Sequence, residues 1–417
     1  MKAEPRVLGA CWAPSPDPRW TLRRIKDVAT IINGYPFDAS FFDAAGIYPL
    51  VRIRDLDSET TETRYSGEWV EAAAIDAGDV LIGMDGDFNV GVWKGGRALL
   101  NQRMCCVRAE PLMRRFLSYV LPTPLKVAND LTYSTTVKHL SSLDVERITF
   151  AVPPENLLEP TLNFLDEQTA RIDALIAEKE RLVSTIEEYW RSYLYSSMQS
   201  AACLGLESPR GEWALEPVKR VCASIQTGRT PSGARDDCFT EDGVPWVTPG
   251  DMDDIFVKSS GKSVSYVALH DGEAVLYPPG STLLVGIGAT LGTVSNARVA
   301  VSANQQINIL VPDPRKIDAL FLTFAIKANQ DQVRLSAGAA TLPILNQERT
   351  GRLKIAIPRM EQQIATRSQL LRLKENANRL LSHVGRHISI LREYRSSLIS
   401  AAVTGQLDID NFKRGAA

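Results

Sequence analysis

The sequence predicts an α+β protein. Two mostly-β domains are joined by two long helices that pair with each other as an intramolecular antiparallel coiled coil. Three observations carry that expectation: the chain repeats itself, each repeat changes its hydrophobic period part-way, and the two long-period stretches have opposite net charge.

The repeat is read from punctuation that recurs at a slowly drifting offset. Leu22, Ile25 and Val28 match Leu215, Val218 and Val221 at 193, and Pro49-Leu50-Val51 with Asp55 match Pro245-Trp246-Val247 with Asp251 at 196. Asn101-Gln102 matches Asn304-Gln305 at 203. Thr136, Leu140, Ile148, Phe150, Val152 and Pro153 then match Thr341, Leu345, Leu353, Ile355, Ile357 and Pro358 at 205. Drift with preserved order means loop insertions in the second copy of a unit of about 200 residues.

The expected elements follow in order. Residues 1–152 form the first domain, rich in Gly, Pro and short apolar runs such as Gly78-Asp79-Val80-Leu81-Ile82, where a turn feeds a strand. Residues 153–206 form the first helix, with a stripe Leu158, Leu162, Leu165, Thr169, Ile172, Ile176, Lys179, Val183, Ile186, Trp190, Tyr193 at alternating spacings of 4 and 3. Residues 207–357 repeat the β texture, as in Pro279-Gly280-Ser281-Thr282-Leu283-Leu284-Val285. Residues 358–405 form the second helix, with a stripe Leu370, Leu373, Ala377, Leu380, Val384, His387, Leu391, Tyr394, Leu398, and 406–417 form a tail. Gly205 and Gly405 stand where the helices should end. The net charges are −1 for 1–152, −5 for 153–206, −1 for 207–357 and +5 for 358–417, so each long helix favours the other over its like.

Composition narrows the function classes. The chain of 417 residues has 44% apolar and 23% charged residues, a globular balance, and 47 basic against 49 acidic groups, without the overall basic excess that marks many nucleic-acid binders. No apolar run is long enough to span a bilayer, and the first residues lack a signal-peptide pattern, so a cytoplasmic protein with no membrane partner is expected. The six cysteines (11, 105, 106, 203, 222, 238) form no CxxC pair and are expected as idle reduced thiols, with no metal site. Gly286-Ile287-Gly288-Ala289-Thr290-Leu291-Gly292 has the wrong spacing for a dinucleotide loop and is expected as a β turn. There is no GxxxxGK[ST], no HExxH and no Asn-Pro-Pro-aromatic motif. His383 and His387 lie one helical turn apart, but His387 falls in the apolar stripe, so helix packing is expected rather than metal binding.

Two segments then carry a family resemblance. A hinge, Ile355-Ala356-Ile357-Pro358-Arg359-Met360-Glu361-Gln362-Gln363-Ile364, leads into a helix closing on Arg392-Glu393-Tyr394-Arg395-Ser396-Ser397-Leu398-Ile399-Ser400-Ala401-Ala402-Val403-Thr404-Gly405-Gln406-Leu407. The first copy has Asp166-Glu167-Gln168-Thr169-Ala170-Arg171-Ile172-Asp173-Ala174-Leu175-Ile176-Ala177-Glu178-Lys179. These stretches resemble the conserved regions of the specificity subunit of type I restriction–modification systems, and the layout is similar over essentially the whole chain. One departure stands at the first hinge, where Asn156-Leu157 replaces the Glu361-Gln362 expected to close the first turn of the second helix.

What the resemblance implies is a non-catalytic DNA reader. Each β domain would be a target-recognition domain reading one half of a split, asymmetric target in double-stranded DNA. The helices would act as a spacer and as a dock for two modification (methyltransferase) subunits, with restriction subunits added for translocation and cleavage. No cofactor would be bound by this chain; S-adenosylmethionine, ATP and Mg would sit on the partner subunits. The alternative is a two-domain coiled-coil scaffold that binds proteins without DNA specificity.

A reader needs Lys or Arg for phosphates and Arg, Asn, Gln, Ser or Thr for base edges. Candidates in the first copy are Arg52, Arg54, Tyr133, Thr136 and Lys138, with His139 expected to be structural. In the second they are Arg229 and Thr230 on a Gly/Pro loop, Thr248, Gln305 and Arg334. Ile32-Asn33-Gly34-Tyr35-Pro36 matches the Arg229 loop in its Gly and Pro but not its Arg, and Arg52 and Arg54 match Thr248 and Gly250. Such divergence at matched positions is expected if the copies read different bases. Recurrence of Asn101-Gln102 as Asn304-Gln305 favours amide bonds to backbone.

Overall fold

Each copy of the repeat opens and closes on the same two-stranded ribbon. In the first, Thr21–Arg24 pairs antiparallel with Thr149–Val152; in the second, Ala214–Pro217 pairs with Lys354–Ile357. Leu22 faces Ala151 and Leu215 faces Ala356, so the residues matched at offsets 193 and 205 occupy matched register positions. The computed structural model describes residues 17–56, 58–131, 138–198, 213–232, 236–252, 254–336 and 343–409. These divide into two compact units, residues 1–179 with 386–417 and residues 180–385.

The main sheet of the first unit runs in the order Thr30–Asn33, Met104–Arg108, Val80–Gly83, Val90–Val92, all antiparallel. Its two central strands are nearly continuously apolar, with Val80, Ile82, Cys105 and Val107 buried in one core and Leu81 and Cys106 in another, as two-sided burial requires. A second sheet, of five short strands, contains the parallel pair of Tyr48–Val51 with Ala98–Leu100. The second unit repeats this arrangement with Cys222–Thr227, Ile307–Pro312, Thr282–Val285 and Val294–Ala297, then adds a fifth strand, Phe256–Val257. Its parallel pair is Val244–Val247 with Ser302–Ala303. The turn feeding the central hairpin is conserved in shape: Gly78 and Gly280 both sit at φ 86°, a left-handed conformation suited to glycine. The stretch from Gly286 to Gly292 is the turn of a β hairpin, with Gly292 N–H donating to Val285 O at 2.9 Å.

Two helices of 44 residues, Glu155–Met198 and Met360–Val403, follow the closing strands. In the first unit the start of one packs on the end of the other. Leu158, Leu162, Leu165 and Ile172 share a core with Leu391, Leu398, Ala402 and Val403, and Asp173 accepts from Arg395 Nε at 2.8 Å and Nη2 at 3.0 Å. In the second unit Tyr193 meets Gln369, and Trp190 lies 5.7 Å from the Lys374 ammonium. Partners thus descend along one helix as they ascend along the other, and the pairing is antiparallel. Gly405, at φ 69°, ends the second helix, with Gln406 N–H donating to Ala401 O at 2.9 Å; Gly205 lies outside the described residues.

Three details differ from expectation. The stripe of the first helix is the less exposed face throughout, but in the second the inward positions are 370, 374, 377, 381, 384, 388, 391, 395, 398 and 402. Leu380, His387 and Tyr394 are exposed, so His387 is not a packing residue. Leu381 and Ile388 stand beside them, and two adjacent registers of similar apolarity cannot be separated by spacing alone. The first helix starts at Glu155 and carries Pro160 inside it, on its exposed side. The tie at the second hinge falls one residue beyond Glu361-Gln362. Gln363, 1% exposed, donates to Pro358 O at 2.9 Å and accepts from Asp318 N–H at 2.8 Å.

Candidate nucleic-acid interface

One end of each main sheet collects the polar loops. In the first unit Asn33 pairs with Cys105 and Gly83 with Met104, so the loop after Asn33, the loop after Gly83 and the turn before Met104 leave the sheet together. A bridge between Asp85 and His139 brings the 138–140 segment to the same end. In the second unit Thr227 pairs with Asn308 and Val285 with Ile307, and an Ile287–Ile344 bridge does the same for the 343–346 segment.

Close backbone packing explains the residues the two copies share. Tyr35 N–H donates to Leu100 O and Arg229 N–H to Ala303 O, at 2.9 and 2.8 Å. At both loops the preceding glycine lies so near the Asn turn that a Cβ on Gly34 would overlap the Asn101 carbonyl and one on Gly228 the Asn304 and Ala303 carbonyls. Asn101 and Asn304 N–H groups donate to Val51 and Val247 carbonyls, each at 3.0 Å. Asp55 accepts from Arg52 N–H at 2.9 Å, as Asp251 does from Thr248 N–H at 2.8 Å. Gly, Asn and Asp therefore build the platform.

The side chains between those fixed points differ. In the second unit Thr230 donates to Gln305 Oε1, Arg229 Nη1 donates to Gly272 O, and Arg229 O accepts from Trp246 Nε1 at 3.1 Å. Arg229, Thr230 and Gln305 are exposed and form one group. Burial pushes the nearby Tyr277 phenol above its usual range, and the Arg229 charge draws it part-way back. Thr248 adjoins through the Asn304–Val247 bond, its hydroxyl donating to Asp251 at 2.7 Å. Arg334 lies against the hairpin loop, its Nε 3.4 Å from Leu291 O. In the first unit the matched surface carries Tyr35, Arg52 and Gln102, with Gln102 N–H donating to Tyr35 O at 2.9 Å. The Arg52 guanidinium lies 6.0 Å from the centre of the Phe42 ring, and Arg54 Nη2 donates to Thr63 at 2.8 Å.

Lys138 is placed differently from a phosphate-reaching residue. Its ammonium donates to Asn129 O at 2.6 Å and Oδ1 at 2.9 Å, tying down the segment instead. His139 Nδ1 lies 2.8 Å from Asp85 Oδ1. Tyr133 and Thr136 lie outside the described residues. Tyr35 and Gln102 escaped the candidate residues drawn from sequence, although their matches Arg229 and Gln305 were included; matched offsets alone could have supplied both.

Among the described residues no group of three or more His, Cys, Asp or Glu could hold a metal ion. Burial pushes the Cys105 and Cys222 thiols up to about 12 and raises Cys106 further. Among the described residues no helix is long and apolar enough to cross a membrane.

A family model described as the type I restriction modification DNA specificity domain matches the chain twice, over residues 18–180 and 211–379. The chain belongs to that family. Members of this specificity family are the non-catalytic, DNA-specificity component of type I systems. The chain is 34% identical over 183 residues to the type I restriction enzyme EcoBI specificity subunit of Escherichia coli, covering 43% of this chain and 38% of that one. It is 30% identical over 158 residues to the HindI specificity subunit of Haemophilus influenzae, covering 37% and 33%. The matched stretch thus spans well under half of either relative. A solved chain from work on complex assembly and conformational transition of the type I R-M system superposes with a TM-score of 0.69 at 16% identity, over 94% of this specificity chain and 99% of that one. At that identity the likeness is one of fold.

Proposed function

We propose that each unit of this specificity chain reads one half of a bipartite, asymmetric target in double-stranded DNA, with the loop end of its main sheet as the reading surface. The observation that carries the reading is one platform with different side chains. Matched backbone positions hold Tyr35 against Arg229 and Arg52 against Thr248, while Gly, Asn and Asp beneath them are kept. A duplicated scaffold with divergent exposed polar groups suits two different base sequences better than one repeated sequence. The long helices serve as spacer and as dock for two modification subunits, with restriction subunits joining them. S-adenosylmethionine, ATP and Mg belong to those partners, and the complex works in the cytoplasm.

The test is co-expression with the modification subunits followed by sequencing of modified adenines across a host genome. A single motif of two unlike halves separated by a fixed number of unspecified bases is expected. Modification with no sequence preference, or none at all, would favour a coiled-coil protein scaffold instead.

A further inference from the structure

We propose that Arg103 is a specificity-determining residue of the first unit and reads a guanine through its guanidinium edge. The proposal rests on the DNA-reading function above and assigns a residue that is absent from the candidates drawn from the sequence.

The backbone supplies the first reason. Arg103 sits at φ 69°, in the left-handed region where a Cβ crowds the carbonyl and where Gly or Asn would be more comfortable. Its match in the second unit, Gln306, has ordinary geometry, and Asn304 holds it with a side-chain bond of 2.9 Å and an acceptor for its N–H at 3.1 Å. The turn therefore does not itself demand a left-handed residue. The first unit keeps an unfavourable conformation at a position occupied by a long cation, a pattern typical of functional positions.

The surroundings supply the second. Arg103 is 57% exposed, follows Gln102 directly, and lies at the loop end of the sheet. Its Nη1 donates to Asp85 Oδ1 at 3.4 Å and lies 3.3 Å from Oδ2, and the same Oδ1 lies 2.8 Å from His139 Nδ1. The corresponding bridge in the second unit is Ile287 with Ile344, so this charged arrangement belongs to the first unit alone. With Nη1 on Asp85, and no further partner among the described residues, the Nε–Nη2 edge is available for a bidentate pair. Guanine O6 and N7 in the major groove are the acceptors that such an edge fits. Asp85 is a positioning residue: it fixes the plane of the guanidinium.

The experiment uses the full chain with its modification subunits and maps modified adenines for the wild type, Arg103→Gly, Arg103→Asn and Arg103→Lys. Gly and Asn accept the left-handed backbone, so melting temperatures no lower than that of the wild type are expected, up to about 2 °C higher. All three variants should lose the preference for guanine at one position of one half-site, by roughly tenfold or more. The other half-site should keep its sequence. Lys retains charge without the planar fork, so its failure to restore the preference separates base reading from simple attraction. An unchanged motif in stable variants overturns the proposal, as does a uniform fall in modification with the motif intact, which would make Arg103 a phosphate contact. Absence of any two-part motif in the wild type removes the DNA-reading function itself, and this assignment with it.

Discussion

Asp79 shows how one residue can pin the main sheet at the end opposite its polar loops. It is fully buried after the Gly78 turn, accepts from Asp76 N–H at 2.9 Å, from Arg108 Nε at 3.2 Å and from Arg114 Nη1 at 3.2 Å. Burial works against its charge, but the guanidinium groups and the backbone donor outweigh that cost and hold the carboxyl below its usual range. A carboxylate whose folded value is depressed contributes fully above its unfolded value of about 4, and that contribution is lost as pH falls through the folded value. Asp79→Asn should therefore unfold about 3 kcal/mol more easily at neutral pH, because two partly buried cations lose their partner. Its stability should also fall less steeply than the wild type's below about pH 4. Urea titrations from pH 3 to 7 measure both, and parallel pH profiles would assign the acid loss to other groups. Gly34 and Gly228 make a second residue-scale case. An alanine at either must displace the adjacent Asn turn, at a cost of about 1–3 kcal/mol. Under the proposed reading, Gly34→Ala should blur one half-site and Gly228→Ala the other; equal loss at both halves from one substitution would count against separate reading heads.

At the scale of elements, the long helices were the most legible part of the sequence, because period and charge each span dozens of residues. The first stripe maps onto the less exposed face without a slip, whereas the second is misplaced wherever Leu380 competes with Leu381 and His387 with Ile388. Hydrophobic spacing finds a helix face to within one position; only the partner decides the rest. The sheets were legible as repeated punctuation, and the structure gives the physical cause: Gly, Asn and Asp recur where backbones touch. The reading surface was less legible. Lys138 looked suited to phosphate, yet its ammonium is satisfied by Asn129, a contact nine residues away that no motif marks. The charge split of the helices has at least one concrete expression, the Asp173–Arg395 pair. Both members keep a third or more of their surface in water, so the pair is worth about 0.5 kcal/mol. Asp173→Arg alone should lower thermal stability, and adding Arg395→Asp should recover most of the loss. A double-mutant cycle with zero coupling would leave the opposite charges without a role in the pairing.

For the whole molecule, the consequence of the proposed function concerns length. Both long helices pass from one compact unit into the other, the unit boundaries falling after Lys179 and after Gly385. If the paired helices set the separation of two reading heads, their length is the ruler for the unspecified bases between half-sites. An insertion of seven residues at each boundary preserves the heptad phase of both stripes, so core positions stay inward. It lengthens each helix by about 10 Å at 1.5 Å per residue. Base pairs in B-form DNA rise about 3.4 Å each, so the gap between half-sites should grow by about three base pairs while both half-sites keep their sequences. An insertion in only one helix breaks the pairing and should abolish sequence-specific modification. Modified-adenine maps of the doubly extended chain read the gap directly. An unchanged gap with both half-sites intact would mean that something other than these helices fixes the spacing.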